Sequence, residues 1–401
     1  MLELQQSLDF EAIVDRARSL WRDAADRAST ARVELFAKAA LRFRVTRDLD
    51  GTSATFDRAF ESGLALRAFR AGHERAGFAA ASGLSDDVLR WAVDTACTYR
   101  AQAPASAPHS SDAIAAERRD LDAAICLPSE ETLTTGLIAR PHLEWIEAGT
   151  TIEILIGAEG WLAARRRHRL WALGQGPDAK LVAQRGFAGW EQLLDGLGAH
   201  DPFESRALPA GLEALVLTPD AASSVVAALV DAFHGTGSAQ WAECGDGWDI
   251  VDDPVRSDGL SGGSFDDAGF PAVSRVLAAD GVWVERLGGP GTFRRGSFRE
   301  PPVESATNLV MASGSARSIP ARATVARRCR VLRPSPELWV LELDLVDTSN
   351  ERGMERRWVR VRPRALLAAC AARLGKPRVT SEGPIVPALL LENAFSRECP
   401  G

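Results

Sequence analysis

Two short stretches of the sequence carry residues that bind metals in enzymes. His73-Glu74 begins like the helix of a zinc peptidase, but neither position 77 nor position 78 holds the second histidine. We therefore expect a hairpin turn there. His234, Glu243 and Cys244 lie close together, yet their spacing fits no metal motif, and the glycines around them indicate a loop. The simpler interpretation is that His234 stabilises the end of a helix.

A third stretch, Gly259–Gly263, contains Ser261 in the G-x-S-x-G pattern of serine hydrolases. That pattern exposes a nucleophile only when a strand leads into the serine and a helix leads out of it. Here DDPVRSD precedes the pattern and SFDDAG follows it, which predicts a glycine loop. No G-x-x-x-x-G-K-[ST] phosphate loop occurs anywhere in the sequence.

Apolar periodicity predicts the elements that would position these residues. Residues 9 to 28 and a segment after Ser85 have helical spacing, and helical character returns near 129 to 139. The segments 41–46, 64–68, 151–156 and 161–173 are predicted strands, with a turn at 157–160 between the last two. We interpret the arginines at 165, 166, 167 and 169 as a solvated strand face rather than an anion-binding patch.

The region after residue 205 begins with a strand and a helix. Leu212–Leu217 is a predicted buried strand, Thr218 a helix cap and Pro219 the first helical residue. The buried stripe of this helix consists of Val225, Val226, Leu229, Val230 and Phe233, and Gly235 is its expected end. Further on, the valines around Asp280-Gly281 predict a hairpin with positive φ at Gly281.

These elements predict an α+β fold. A mixed domain of helices and antiparallel sheet, residues 1–112, includes a Pro-, Ala- and Ser-rich linker at 101–112. A middle segment, 113–204, and a β-rich C-terminal domain, 205–401, follow. Asp266 and Asp267 have the sequence context of turn residues, and Gly269 that of a glycine required by the backbone.

Four pieces of this region follow one another in a characteristic order: VLTPDAASSVVAALVDAF, IVDDP (250–254), SFDDAGFPAVSRVLAADGVWV (264–284) and NLVMASG (308–314). In this order they resemble the TldD/TldE (PmbA, modulator of gyrase) family of peptidases. The segment SGLALRAFRAGHERAGFAAASGLSDDVLRWAVDTA is similar to the N-terminal domain of that family. After about residue 316 the family's Gly- and Ser-rich active-site segment is not recognisable, although GPIVPALLLENAF is similar to its last strand.

In the active subunit of that family, HExxxH lies on the helix after the Pro-capped start, where two histidines bind zinc and the glutamate is the general base. Aligning the helix end at Gly235 puts Val226, Ala227 and Asp231 in these positions. The resemblance therefore implies a metal-free, TldE-like subunit without catalytic or cofactor-binding residues of its own.

What such a subunit would do also follows from the resemblance. It would hold an extended or unfolded peptide for a TldD-like partner bearing HExxxH, and the zinc would belong to that partner. Asp266, Asp267, Gly269 and His234 are the candidate peptide or partner surface. Two alternatives stay open, namely an independent serine hydrolase acting through Ser261 and a non-enzymatic scaffold protein.

Composition excludes some classes of function. The net charge of -7 argues against a nucleic-acid partner. The N-terminus has no apolar signal region, and no stretch of about 18 apolar residues predicts a membrane span, so we expect a cytoplasmic protein. The six cysteines form no C-x-x-C pair, which argues against a zinc ribbon or a disulfide framework.

Overall fold

Strands arranged in two large sheets dominate the structure, a computed structural model. It describes residues 8–29, 31–48, 51, 53–70, 75–98, 103–104, 118–122, 127–175, 181–197, 214–236, 248–295, 297–312, 323–332, 338–346, 354–380 and 383–392. The predicted α+β class is confirmed. No helix among these residues is long and apolar enough to cross a membrane.

Among the described residues, the first sheet has eight strands and is covered on one face by helices. In chain order the elements are α1 (Phe10–Ala28), β1 (Ala31–Arg47), β2 (Ala54–Arg70), β3 (Arg75–Ser82), α2 (Asp86–Thr98), β4 (Ala103–Pro104), β5 (Arg118–Leu121), α3 (Glu130–Ile138), β6 (Leu143–Ile156), β7 (Leu162–Gly174), β8 (Leu181–Arg185) and α4 (Trp190–Leu197). The strand order is β4-β3-β2-β1-β6-β7-β5, and β8 pairs with β7.

The predicted helices of this half are confirmed, and side chains cap the first turns of α1 and α2. Asp9 accepts hydrogen bonds from the first amides of α1, and Ser85 accepts one from the amide of Val88 at the start of α2. The apolar stripes of α1 and α2 pack on one face of the sheet, where Leu35 and Leu66 are fully buried. The predicted linker at 101–112 lies largely outside the described residues.

The expected boundary at residue 112 does not separate two sheets. β1 pairs with β6 in antiparallel register from Leu35↔Ile156 to Thr46↔Trp145. The strands of the middle segment therefore complete the sheet that the first hundred residues begin. This pairing joins strands about a hundred residues apart, so local periodicity carries no signal for it.

The second sheet, in the part of the chain that the structure describes, has ten strands, all from the C-terminal half. In chain order the elements are β9 (Ala214–Leu217), α5 (Pro219–Thr236), β10 (Ile250–Asp252), β11 (Arg275–Ala279), β12 (Val282–Trp283), β13 (Phe293–Arg294), β14 (Val303–Glu304), β15 (Leu309–Met311), β16 (Thr324–Val331), β17 (Trp339–Val346), β18 (Met354–Val361), α6 (Pro363–Ala368), β19 (Cys370–Val379) and β20 (Ile385–Glu392). The order is β12-β11-β10-β15-β20-β9-β16-β17-β18, with β19 on β20, while β13 and β14 form a separate ribbon.

The predicted hairpin between β11 and β12 is present. Asp280 and Gly281 both have positive φ, 49° and 77°, as a tight two-residue turn requires. Trp283 then turns inward and stacks on Phe233 of α5, with ring centroids 4.3 Å apart. The hairpin is thereby fixed against the main core of the second sheet.

The face of the first sheet opposite the helices contacts loops of the second half. An apolar cluster that includes Phe36, Leu155, Phe265 and Phe298 fills part of this junction. The Phe298 ring occupies the space that a Cβ atom at position 63 would need, so glycine at Gly63 allows the ring to lie against β2. The two halves thus share a packed interface.

Candidate functional site

Helix α5 carries the positions where the resemblance would place metal ligands. It starts as predicted, with Thr218 accepting a hydrogen bond from the amide of Ala221 (3.5 Å), and it ends at Thr236, one residue beyond the expected Gly235. Val226 is fully buried in the core of the second sheet, as the predicted apolar stripe requires. Its side chain has no lone pair and faces other apolar groups, so it cannot bind a metal.

Ala227 and Asp231 occupy the other two aligned positions on α5. Ala227 is half-buried and has no carboxylate to act as a general base, whereas Asp231 is exposed. Within the described part of the chain, no three His, Cys, Asp or Glu side chains are grouped to hold a metal ion. His73, Glu74, Glu243 and Cys244 lie outside the described residues, as does the side chain of His234.

Asp266 organises the loop of residues 253–274, which connects β10 with β11. Its Oδ1 atom accepts hydrogen bonds from the amides of Ala268 and Phe270, both at 2.9 Å. Its Oδ2 atom accepts from the amides of Gly291 (2.8 Å) and Phe293 (3.1 Å). Burial raises the pKa of Asp266, and amide donors oppose that rise. One carboxylate therefore fastens two separate loop segments together.

Asp267 joins this loop to the first sheet. Its Oδ1 atom accepts a hydrogen bond from Arg165 Nη2 on β7, and its Oδ2 atom accepts one from the amide of Arg295 (2.6 Å). Arg165 also pairs with Glu153 on β6. Because Asp267 and Arg165 are both buried, their ion pair connects the two halves of the chain inside the interface.

Gly269 has the backbone conformation that the sequence predicts, with φ at +92°. A Cβ atom here would also collide with the Trp161 ring, and it would lie 3.1 Å from Leu155. Asp266, Asp267 and Gly269 are all buried. In the chain alone the carboxylates of Asp266 and Asp267 are thus engaged in internal hydrogen bonds, and their assignment to a peptide or partner surface stays a prediction.

The arginine run of β7 is not the solvated strand face that the sequence suggested. Alternation along the strand divides it, so that Arg165, Arg167 and Arg169 point toward the second half while Arg166 lies on the helix face near Phe10. Arg165 and Arg167 are only 9% and 3% exposed. The signal was present in the period-2 pattern, but the carboxylates and carbonyls that these arginines contact are far away in sequence.

These arginines hold the Gly259–Gly263 loop. Arg167 donates to the carbonyl of Gly262 from Nε (3.0 Å) and Nη2 (2.7 Å), and Arg169 Nε donates to the carbonyl of Leu260 (2.9 Å). Asp120 on β5, the strand that pairs with β7, forms an ion pair with Arg167 and accepts a hydrogen bond from the amide of Ser264 (2.7 Å). The predicted glycine loop is therefore present and is bound to the first sheet.

Ser261 does not occupy a nucleophile turn. Its amide donates to Asn308 Oδ1 (3.1 Å) and its carbonyl accepts from Asn308 Nδ2 (2.5 Å). Residues 253–274, all of which the structure describes, contain no helix after the serine. The strand–serine–helix geometry that would activate this hydroxyl is missing from this loop.

Comparison with known proteins gives structural matches but no sequence match. No family model matches the sequence, and no curated protein matches it. TldE from Thermococcus kodakarensis has a similar structure, with a TM-score of 0.70 and 13% identity over 94% of this chain and 99% of that one.

Two candidate modulators of DNA gyrase have similar structures too. The one from Bacteroides thetaiotaomicron gives a TM-score of 0.62 at 13% identity, covering 93% of this chain and 97% of its own. The one from Thermotoga maritima gives 0.62 at 13% identity, covering 96% and 99%. The resemblance inferred from the sequence is thus confirmed at the level of structure, and this chain has the fold of TldE over nearly its whole length.

Proposed function

We propose that this chain is the metal-free, substrate-holding subunit of a two-subunit zinc peptidase of the TldD/TldE kind. Two points support the proposal: the chain has the TldE fold, and the alignment made at Gly235 puts Val226, Ala227 and Asp231 at the positions of HExxxH. Val226 is part of the core, so this helix serves packing. The zinc and its activated water would come from the partner.

Holding a peptide requires main-chain hydrogen-bonding groups that are not already used. β12 and β18 end the strand order of the second sheet, so among the described residues each has one edge without a neighbouring strand. An extended peptide that adds to such an edge gains hydrogen bonds without regard to its sequence. This favours unfolded or extended peptides as substrates of the pair.

The test is co-expression with an HExxxH-bearing homologue and purification through a tag on this chain. We expect the two to co-purify, and hydrolysis of an unstructured peptide to appear only in the mixture. An interface that holds such a pair stably should bury more than about 1,000 Å². The matched control is the same pair with the HExxxH glutamate changed to glutamine, which should assemble without activity. Failure to co-purify, or full activity of the HExxxH chain alone, would overturn the proposal.

Metal content separates this proposal from an independent metalloenzyme. Elemental analysis of the tag-free chain should find no stoichiometric transition metal. One zinc per chain that disappears on His234→Ala would contradict the proposal. Ser261→Ala should leave the activity of the pair unchanged, whereas covalent labelling of Ser261 by a fluorophosphonate would favour the serine hydrolase alternative.

A further inference from the structure

Two arginines on the face of the first sheet opposite the helices lack the ion pairs that the other arginines of that face form. The other arginines there each pair with a carboxylate: Arg44 with Glu147, Arg67 with Glu34, Arg165 with Glu153 and Asp267, Arg167 with Asp120, and Arg185 with Asp122. Arg42 makes no hydrogen bond or ion pair with the described residues, and Arg169 makes only the one from its Nε atom to Leu260.

The strand register places these two arginines on either side of one residue of β6. Gly149 on β6 lies directly opposite Arg42 on β1 and directly opposite Arg169 on β7. Neighbouring strands are about 4.8 Å apart, so the two Cα atoms are separated by about 10 Å, and their side chains lie on the same face. Two cations therefore flank one glycine. Neither forms a direct ion pair with a carboxylate among the described residues, although Glu153 and Asp122 attract Arg169 from a greater distance.

Gly149 leaves room between them. A Cβ atom here would be 3.2 Å from Arg42 Cγ and 3.6 Å from the Trp171 ring, so the arginine stem and the indole bound the space above the glycine. Arg42 is exposed and Arg169 half-buried, which makes the place reachable from solvent. Arg42 has no carboxylate partner among the described residues, and the neighbouring cations Arg165 and Arg185 repel Arg169, so a bound anion would be attracted to this place.

The structure assigns to Arg42, Gly149 and Arg169 a binding site for a carboxylate of a peptide. The planar guanidinium fork matches a carboxylate in geometry, and the Trp171 ring offers an apolar surface for the neighbouring side chain. The site lies beside the Gly259–Gly263 loop, where the two halves meet. This inference rests on the proposed function, since it names the kind of peptide that the subunit would hold.

Binding to this chain alone tests the site. An N-terminally fluorescein-labelled alanine-valine hexapeptide is titrated by fluorescence anisotropy in three forms: the free acid, the C-terminal amide, and the amide with one internal glutamate. We expect the free acid to bind about tenfold more tightly than the plain amide. Tight binding of the glutamate peptide would assign the site to acidic side chains as well, and weak binding would assign it to the chain terminus alone.

Variants complete the test. Arg42→Ala removes no hydrogen bond within the described chain, so it should fold and lose about tenfold in affinity for the free acid. Gly149→Asp places a carboxylate between the arginines and should abolish the preference for the acid. Arg44→Ala, two residues along the same strand but paired with Glu147, is the control and should retain it. Equal binding of acid and plain amide, no binding at all, or an equal loss in the Arg44 variant would overturn the site.

The outcome is independent of the partner experiment. If the chain selects free acids but never co-purifies with an HExxxH homologue, the site stands and the partner role fails. If the pair assembles and is active while acid and amide bind equally, the partner role stands and this site fails.

Discussion

Asp266→Asn is the most informative single substitution, because it replaces one carboxylate oxygen by an NH₂ group and leaves the volume almost unchanged. The side-chain amide would direct an NH₂ group at two of the four backbone amides that now donate to the carboxylate. Whichever way the amide turns, two hydrogen bonds are lost and donors face donors. Hydrogen bonds to a charged group contribute about 1.5–3 kcal/mol each, so we expect a loss of about 3–6 kcal/mol in the free energy of unfolding.

Urea denaturation followed by both circular dichroism and tryptophan fluorescence measures this loss. Using two probes shows whether the chain, with its two sheets, unfolds in one step. The control is Asp258→Asn in the same loop, which removes an exposed ion pair with Arg256 and should cost less than about 1 kcal/mol. A loss below about 1 kcal/mol for Asp266→Asn would refute the view that this carboxylate fastens the loop.

Three further predictions follow from the interface and the buried thiol. Burial alone would raise the pKa of Glu153, but Arg165 and weaker cations lower it from 4.5 to about 2. The ionised Glu153 therefore stabilises the folded chain fully above about pH 4.5, and this stabilisation is lost as the pH falls toward 2. Glu153→Gln should therefore flatten the fall in melting temperature between pH 5 and pH 3; an unchanged slope would contradict this. Gly269→Ala should cost about 1–3 kcal/mol more than Gly289→Ala in urea denaturation, because both glycines have positive φ but only the first faces a side chain where its Cβ would be. Burial raises the pKa of Cys370 to about 11, so iodoacetamide at pH 8 should label it, as detected by mass spectrometry, only after unfolding.

Elements with strong local periodicity were predictable from the sequence. The spacing of Ile13, Val14, Ala17 and Leu20 specifies α1, and the Thr218-Pro219 start specifies α5, because capping and burial follow from neighbours in the chain. The β11–β12 turn was predictable for the same reason, since positive φ at Gly281 is a local requirement.

The arrangement of the interface could not be predicted in this way. The arginines of β7 are predicted to face solvent because charged side chains usually do. In the structure, Asp267 pairs with Arg165 and Asp120 with Arg167, and both carboxylates come from distant parts of the chain. The buried role of Asp266 depends on amides from the segment around residue 291, which no local pattern reveals. The pairing of β1 with β6 likewise joins strands that are far apart in the sequence, so it could not be predicted from local patterns.

The contact between Gly63 and Phe298 has an evolutionary consequence. The phenyl ring occupies the place of the missing Cβ atom, so neither position can change in size without the other. When homologous sequences are aligned, positions 63 and 298 should covary, with any residue larger than Gly63 accompanied by one smaller than Phe298. Covariation of these two positions would indicate that distant homologues, even those with very low sequence identity, keep the same contact between the two halves.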